Sequence, residues 1–454
     1  MVALRSRRLD SLFGAQLDQL TDLHIRSLVA NSVAEAFDLD FKQELYRNTD
    51  ADRRSLAGDV AAMANTAGGV LILGLQEDEQ AVAKDAPGVD LSDAEQQRMR
   101  QIVASLVAPM PMFDIITVPD VGSTTHGYYV IAIPRSPSAP HAVLVNDGLR
   151  YPKRNGSTTR YLSEPEVAAA YRDRLAGVEA QTGRIALVEA DASARIDLDM
   201  DTWVMVTMVP DLAGSLDITY ALQQEFQAQT VGQSTLDIVG GGYTTFQRTR
   251  VGSRRLLADG GSHGSTKATW ASADYHSDGS GAYSHALPDL LQRRRAESEP
   301  PESNTQVVDD ESIVIGVLTG LRRLALHARD RTAAGGNALV RASLLPRLGW
   351  PLEIGHTRGW GSGESRSGVA LQLASVAAET VASIDDLAAA GPELVSVAAG
   401  LVDELGQAFD IAEMGQLTRE GEIRVRYWNH PWQERVKEWA EQHGVAVTDQ
   451  TLGD

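Results

Sequence analysis

The sequence contains no cysteine, only five lysines, and no apolar run approaching the ~20 residues that a membrane-spanning helix needs. Without cysteine there can be no disulfide framework, thiolate zinc site, iron–sulfur cluster or cysteine nucleophile. The basic start, MVALRSRRLD, is not followed by an apolar stretch of signal-peptide type, so the chain reads as a cytoplasmic protein with no membrane partner. The phosphate-wrapping arrangement G-x-x-x-x-G-K-[ST] is also missing; GGSHGSTK at 260–267 has another spacing, which argues against ATP hydrolysis. No H-E-x-x-H occurs, and His276 and His285, near Asp274 and Asp278, read as loop polar groups rather than metal ligands. With lysine so scarce, arginine carries nearly all the positive charge. That suits phosphate recognition, although a GC-rich bacterial coding genome produces the same bias.

What is present is a chain of 454 residues, 43% of them apolar, long enough for two or three domains with cores of ordinary size. The net charge is -20, which by itself points away from a protein that coats nucleic acid. It is unevenly spread: residues 1–176 hold 18 basic against 23 acidic residues, net -5, and the remainder holds 23 against 38, net -15. A local basic groove in the N-terminal part is therefore compatible with the composition.

Read in order, Thr21 caps a helix whose apolar positions Ile25, Leu28, Val29 and Val33 recur at helical spacing. A strand over 38–46 and a turn at Asn48-Thr49-Asp50 follow. A second helix then begins near Asp52, with Leu56, Val60, Met63 and Ala67 inward, and stops at Gly68-Gly69. Ser92 and Glu95 announce a third helix, and 113–121 with 127–134 read as an antiparallel pair. Ser163 and Glu166 open a closing helix. These elements predict an α+β domain over 15–176. A mostly β region at 190–295 includes strands at 195–210, 267–275 and 281–286, and a polar linker at 296–308 follows Arg293-Arg294-Arg295. A helix-rich region at 309–454 holds a helix at 310–328, an Ala-rich helical stretch at 368–411, a strand at 422–428 and a helix at 432–444. Beyond the first domain the C-terminal region as a whole reads as mixed α/β.

The chemistry-bearing stretch is Glu35 to Asp78. Asp38, Asp40 and Lys42 alternate with Leu39 and Phe41, so an extended strand puts both carboxylates and the ammonium on one face. The apolar strand Val70 to Leu75 empties into Glu77, Asp78 and Glu79, and if it lies beside the first strand, acids from two segments converge. A half-exposed strand with a solvated polar face explains the same alternation. Asn65 and Thr66 could contact a nucleotide or a backbone, or simply stop the helix. Further on, Lys153, Arg154 and Arg160 bracket Gly156, Ser157, Thr158 and Thr159, a loop able to meet a phosphate with cations, hydroxyls and free N–H groups, or to serve only as a turn before a capped helix.

Glu35, Leu39-Asp40-Phe41-Lys42, Met63-Ala64-Asn65-Thr66-Ala67-Gly68-Gly69 ahead of the ILGL strand, and the later Arg154-Asn155-Gly156-Ser157-Thr158 together resemble the AlbA-like domain of the Schlafen group, also described as a DNA-binding or divergent AAA domain. The resemblance covers about residues 15–176. It implies nucleic acid, RNA or DNA, as partner, with Lys153, Arg154, Ser157, Thr158 and Arg160 in contact with it. In the animal members the domain is similar to an RNA endonuclease, which implies Mg2+ or Mn2+ held by Glu35, Asp40 and Asp78, or Glu77 in place of Asp78, with Lys42 as a catalytic cation. Three departures stand out: Asp40 is one methylene shorter than the usual Glu, Ala36 replaces a frequent Ser, and the cysteines of the animal zinc site are absent. The expected function is nucleic-acid binding, with metal-dependent cleavage of structured RNA, a non-catalytic regulator, and a nucleotide- or partner-binding scaffold, alone or as a homo-oligomer, as the forms it could take.

Overall fold

The computed structural model of the chain describes residues 7–238, 244–261, 267–290, 305–357, 363–365, 369–372 and 375–452. It divides into two compact units, Met1–Ala180 and Gln181–Asp454. Most of the linker expected at 296–308, with Arg293-Arg294-Arg295 before it, and most of GGSHGSTK lie outside the described residues.

The first unit is built from α1 (Arg7–Phe13), α2 (Asp22–Ala30), β1 (Leu39–Lys42), α3 (Asp50–Ala64), β2 (Gly68–Leu73), β3 (Gln76–Glu77), β4 (Ala83–Asp85), β5 (Val89–Asp90), α4 (Asp93–Leu106), β6 (Val107–Ala108), β7 (Asp114–Pro119), β8 (His126–Pro134), β9 (Ala142–Val145), β10 (Gly148–Arg150), β11 (Pro152–Asn155), β12 (Thr158–Tyr161) and the start of α5 (Glu164–Ser193). Polar caps set the helix starts: Thr49 Oγ1 accepts from Asp52 N at 3.2 Å, and Ser92 Oγ from Glu95 N at 3.2 Å. The main sheet runs β1-β2-β8-β5, with β7 also on β8. β1 lies parallel to β2, Leu39 opposite Val70 and Lys42 opposite Leu73, while β2 and β8 are antiparallel.

Strand periodicity explains why this sheet is buried on both sides. Val70 and Ile72 of β2 with Tyr128, Val130 and Ala132 of β8 pack with Ile25 and Leu28 of α2. The alternate residues, Leu71, Leu73, Tyr129, Ile131 and Ile133, pack with Leu56, Val60 and Met63 of α3 and with Met99 and Ile102 of α4. Leu39 and Phe41 of β1 belong to the α2 face. Asp40 and Lys42 must then point to the α3 face, so the polar side of β1 is not a solvated strand face: Asp40 is only 2% exposed. The strand is also shorter than the expected 38–46, because its pairing with β2 ends at Lys42. Gly68 and Gly69 open β2 and do not end the helix as expected: α3 stops at Ala64 with Asn65 as its C-cap, and Ala67 is exposed. A Cβ on Gly69 would lie 2.6 Å from Asp38 O, and one on Gly68 2.5 Å from Arg135 N, so the glycines let β1 and β8 close on β2.

The second unit contains β13 (Thr202–Leu212), α6 (Tyr220–Thr230), β14 (Arg248–Gly252), β15 (Arg255–Gly260), β16 (Ala271–His276), β17 (Gly281–Leu287), β18 (Gln306–Asp309), α7 (Asp310–Leu326), β19 (Gly335–Leu345), β20 (Leu352–Thr357), β21 (Gly363–Ser365) and β22 (Val376–Ser383). Strands from 202–287 and from 335–383 join one antiparallel sheet, β14-β15-β16-β17-β13-β19-β22. One face of it packs on α7 through Val204, Val206, Tyr283, Val340 and Leu344. The other carries buried Asp259 and Asp274, both paired with Arg195 just beyond the end of α5.

Three expectations are corrected here. The Ala-rich stretch 368–411 is not one helix: Val376–Ser383 pairs as a strand with β19, and Gly391-Pro392 separates the helices Ile384–Ala389 and Pro392–Gln407. Pairing on an established sheet overrides alanine's helix preference, and proline starts a new helix because it cannot donate within one. The expected strand at 422–428 shrinks to Ile423–Arg424 followed by a 3-10 turn. The strand expected at 195–210 begins at Thr202 instead, since α5 extends to Ser193.

Candidate functional site

Asp40 is the centre of the polar cluster in the first unit. Its Oδ2 accepts from Lys42 Nζ at 2.6 Å and its Oδ1 from Arg154 Nη1 at 3.0 Å. Arg154 is 5% exposed, and its Nη2 also donates to Ala36 O at 3.2 Å. One strand edge and one distant hairpin are thus joined through a buried carboxylate with a cation on each oxygen. Burial opposes the charge on Lys42, yet the attraction and hydrogen bond of Asp40, helped by Asp59 and Glu35, hold its pKa above the ordinary lysine value.

Around this pair stand two groups that sequence reasoning missed. Asp59 of α3 accepts from Tyr46 Oη at 2.7 Å. Burial and then the nearby Asp40 charge raise the Asp59 pKa, against Lys42, Tyr46 and Arg154, which lower it. A signal for Asp59 does exist in the chain: Leu56, Asp59, Val60 and Met63 follow i, i+3, i+4, i+7, so Asp59 interrupts the inward stripe of α3. Tyr46 carries no such signal.

Glu35 lies close by. Its backbone N donates to Ala81 O at 2.8 Å, and its Oε1 accepts from Phe41 N at 2.6 Å. Burial, followed by the Asp40 charge, pushes its pKa up to about 8; the Phe41 N–H and Lys42 oppose this and Glu77 adds to it. Of the two competing acids at the end of β2, Glu77 is therefore the one that Glu35 feels. Asp78 instead closes the β3–β4 turn, its Oδ1 accepting from Gln80 N at 2.9 Å and from Val82 N at 3.0 Å.

A divalent ion shared by the predicted ligands Glu35, Asp40 and Asp78 needs carboxylate oxygens free to face it at ~2.0–2.6 Å. Both Asp40 oxygens face cations instead, one Asp78 oxygen serves the turn, and one Glu35 oxygen serves Phe41. As arranged, these residues do not fit a shared ion. Among the described residues, the three acidic or histidine side chains with donor atoms within 4.8 Å of one another are Asp309, Asp310 and His356 in the second unit. There Asp309 caps α7 through Ser312 N at 3.3 Å, and His356 Nδ1 lies 2.9 Å from Asp310 Oδ1. The donor types suit a divalent cation.

The loop expected to meet phosphate is a two-stranded hairpin. Lys153 stands opposite Arg160, Arg154 opposite Thr159 and Asn155 opposite Thr158, with Gly156 at φ 63° in the turn. Alternation divides its cations: Arg154 points inward to Asp40, and Lys153 and Arg160 share the opposite face. Arg160 forms a fork with Glu166, Nη1 at 3.0 Å and Nη2 at 2.6 Å, and the pairing drives the Glu166 carboxyl far below its ordinary range. Ser157 and Thr158 are exposed, and Thr158 Oγ1 donates to Asn155 O at 2.9 Å. A cleft of about 190 Å³ beside the hairpin is lined by Asn65, Pro140, Lys153, Leu162, Glu166 and Asp173 among others.

The Asn65-Thr66 pair turns out to hold this hairpin. Asn65 Nδ2 donates to His141 O and Pro152 O, both at 2.9 Å, and its Oδ1 accepts from His141 N at 2.7 Å. Thr66 Oγ1 accepts from Arg154 N at 3.0 Å. The helix-stop residues thus anchor the segment that brings Arg154 to Asp40.

No curated protein matches the chain. Among solved structures, the DIP2311 protein from Corynebacterium diphtheriae aligns at 20% identity and a TM-score of 0.22, over 30% of this chain and 29% of that one. The aligned part is thus under a third of that protein's length. Residues 35–163 match the family model described as Schlafen, AlbA_2. That span runs from Glu35 through Asp40, the Asn65 to Gly69 turn and the whole Arg154 hairpin, so the part of the chain that is similar to the Schlafen AlbA_2 family includes the entire cluster described above.

Proposed function

We propose that the first unit is a nucleic-acid-binding module in which the Asp40 centre positions a cationic hairpin and does not itself cut. The family match supports a nucleic-acid-binding role. The observation that carries the reading is the Lys153–Arg160 cross-strand pair. Two like charges set directly opposite each other weaken a hairpin by themselves; the Glu166 fork on Arg160 offsets part of that repulsion, and an anion meeting the pair offsets the rest. The hairpin that displays them is fixed from behind by Arg154, Asp40, Thr66 and Asn65. Pre-ordering of this kind lowers the entropy cost of binding.

The test measures binding of labelled RNA and DNA oligonucleotides across a salt series, with and without Mg2+ or Mn2+, alongside a cleavage assay. Removing both cations in Lys153→Gln/Arg160→Gln is expected to reduce the slope of log affinity against log salt by about 1.4 to 1.8, two phosphate contacts' worth. Affinity indifferent to salt would remove the binding reading. Metal-dependent cleavage that Glu35→Gln abolishes while the unfolding midpoint does not fall would instead establish the endoribonuclease implied by the animal Schlafens.

A further inference from the structure

We infer that the outer strand of the hairpin, β12, is a recognition edge for single-stranded nucleic acid, with Tyr161 as a base-stacking platform and Arg150 beside it as a phosphate contact. This rests on the nucleic-acid-binding reading above and adds the strandedness of the ligand and two residues to the site.

Three observations converge. First, Thr158, Thr159, Arg160 and Tyr161 are all exposed, and among the described residues β12 pairs with β11 alone. Alternation puts Tyr161 and Thr159 on one face of this edge and Arg160 and Thr158 on the other, so the ring is displayed beside the outward backbone of the edge and apart from the Lys153–Arg160 pair. At ~3.3 Å per residue the backbone of this edge spans ~10 Å, the length of about three stacked nucleotides at ~3.4 Å each. Second, Tyr161 is 55% exposed on a strand end, and the guanidinium carbon of exposed Arg150 lies 5.8 Å from its ring centroid. An exposed tyrosine costs apolar hydration with no packing in return, and the arginine keeps a positive charge at the ring where a base would bring its phosphate. Third, the base of the hairpin is braced by an aromatic pair, Tyr151 and Tyr171, whose rings meet edge-on at 6.3 Å with hydroxyls 3.3 Å apart.

The choice of single strand follows from the ring. In a duplex, base faces are stacked on one another and unavailable, whereas an unpaired base has a free π-face and stacks on aromatic side chains whatever its identity. Glu166 is the competing charge: it occupies the Arg160 fork, so a phosphate must displace or share it. Among the described residues Arg150 is not held in a carboxylate fork of that kind, and beside the Tyr161 ring it carries the first phosphate contact.

The test uses the full chain and fluorescence anisotropy with labelled oligo-dT and oligo-rU of equal length and a duplex of matching length, at low salt, with inorganic polyphosphate as competitor. The two homopolymers distinguish DNA from RNA as the source of the strand. Expected are tighter binding of a single strand than of duplex, a loss of roughly tenfold in Tyr161→Ala, near-complete retention in Tyr161→Phe, and unchanged displacement by polyphosphate. Because Tyr161 is exposed, the unfolding midpoint of both variants should match wild type. Duplex binding equal to single-strand binding, or affinity untouched by Tyr161→Ala, overturns the single-strand inference and leaves the binding reading standing. Failure of every oligonucleotide to bind at low salt removes both.

Discussion

The two strands of one hairpin have opposite relations to the protein. β11 faces inward: Pro152 and Arg154 are buried, Arg154 neutralises Asp40, and its backbone is tied to Thr66. β12 faces outward with all four residues exposed, and its arginine meets a carboxylate in solvent. The same guanidinium group is therefore a structural bolt at 154 and a surface charge at 160. Screening decides the difference. An ion pair in water contributes little, whereas one removed from water leaves a costly charge behind when either partner is lost.

Breaking the inner half should have the largest effect. Arg154→Ala strands the Asp40 carboxylate with Lys42 alone and is expected to cost about 3 kcal/mol in urea unfolding. Arg154→Lys should not rescue it, because one ammonium cannot reach both Asp40 and Ala36 O. A loss under ~0.5 kcal/mol would mean the inner strand is no anchor.

The next experiment sharpens the inner environment through Glu35. Its folded pKa of about 8 lies above the unfolded value, so between roughly pH 4.5 and 8 the unfolded state has lost a proton that the folded state keeps. Stability from this group therefore falls as pH rises through that window. Glu35→Gln removes the dependence: the variant should match wild type near pH 4 and exceed it by about 1–2 kcal/mol at pH 8, the partial exposure of the site limiting the gain. Equal stabilities at both pH values would show that Glu35 ionises freely.

The smallest effect belongs to the outer half. Arg160→Gln removes the fork to Glu166 at the surface and should change stability by no more than ~0.5 kcal/mol in the same urea assay. A cost comparable to that of Arg154→Ala would erase the distinction between the two strands.

Much of the first unit was legible because its signals are local. Capping at Ser92, the i, i+3, i+4 stripe of α3, and the antiparallel pair expected at 113–121 and 127–134 all arise within a few residues of chain. The sequence left open whether the two apolar strands on either side of α3 lie side by side, and the structure pairs β1 with β2 in parallel. The roles of individual polar residues were less legible. Asp78 sits at the position the resemblance selects, yet its carboxylate closes a turn whose geometry depends on Val82. Asn65 and Thr66 read as helix-stop or nucleotide-contact residues, and the hairpin they hold begins about ninety positions later.

By itself, the sequence determined that strand β1 would put Asp40 and Lys42 on one face, that Leu56, Val60 and Met63 would form the inward stripe of α3, and that cations would gather at 153–160. Period-2 alternation, helix capping and composition are properties of neighbouring residues, so no fold is needed to read them. Only the tertiary structure decided which of those groups meet water. Asp40 is buried because α3 and the hairpin cover its face; Arg154 and Arg160, six residues apart, take opposite electrostatic roles because one strand of that hairpin is packed and the other is not. Desolvation is set by what lies on the other side of a residue, and the chain brings that neighbour from 114 positions away.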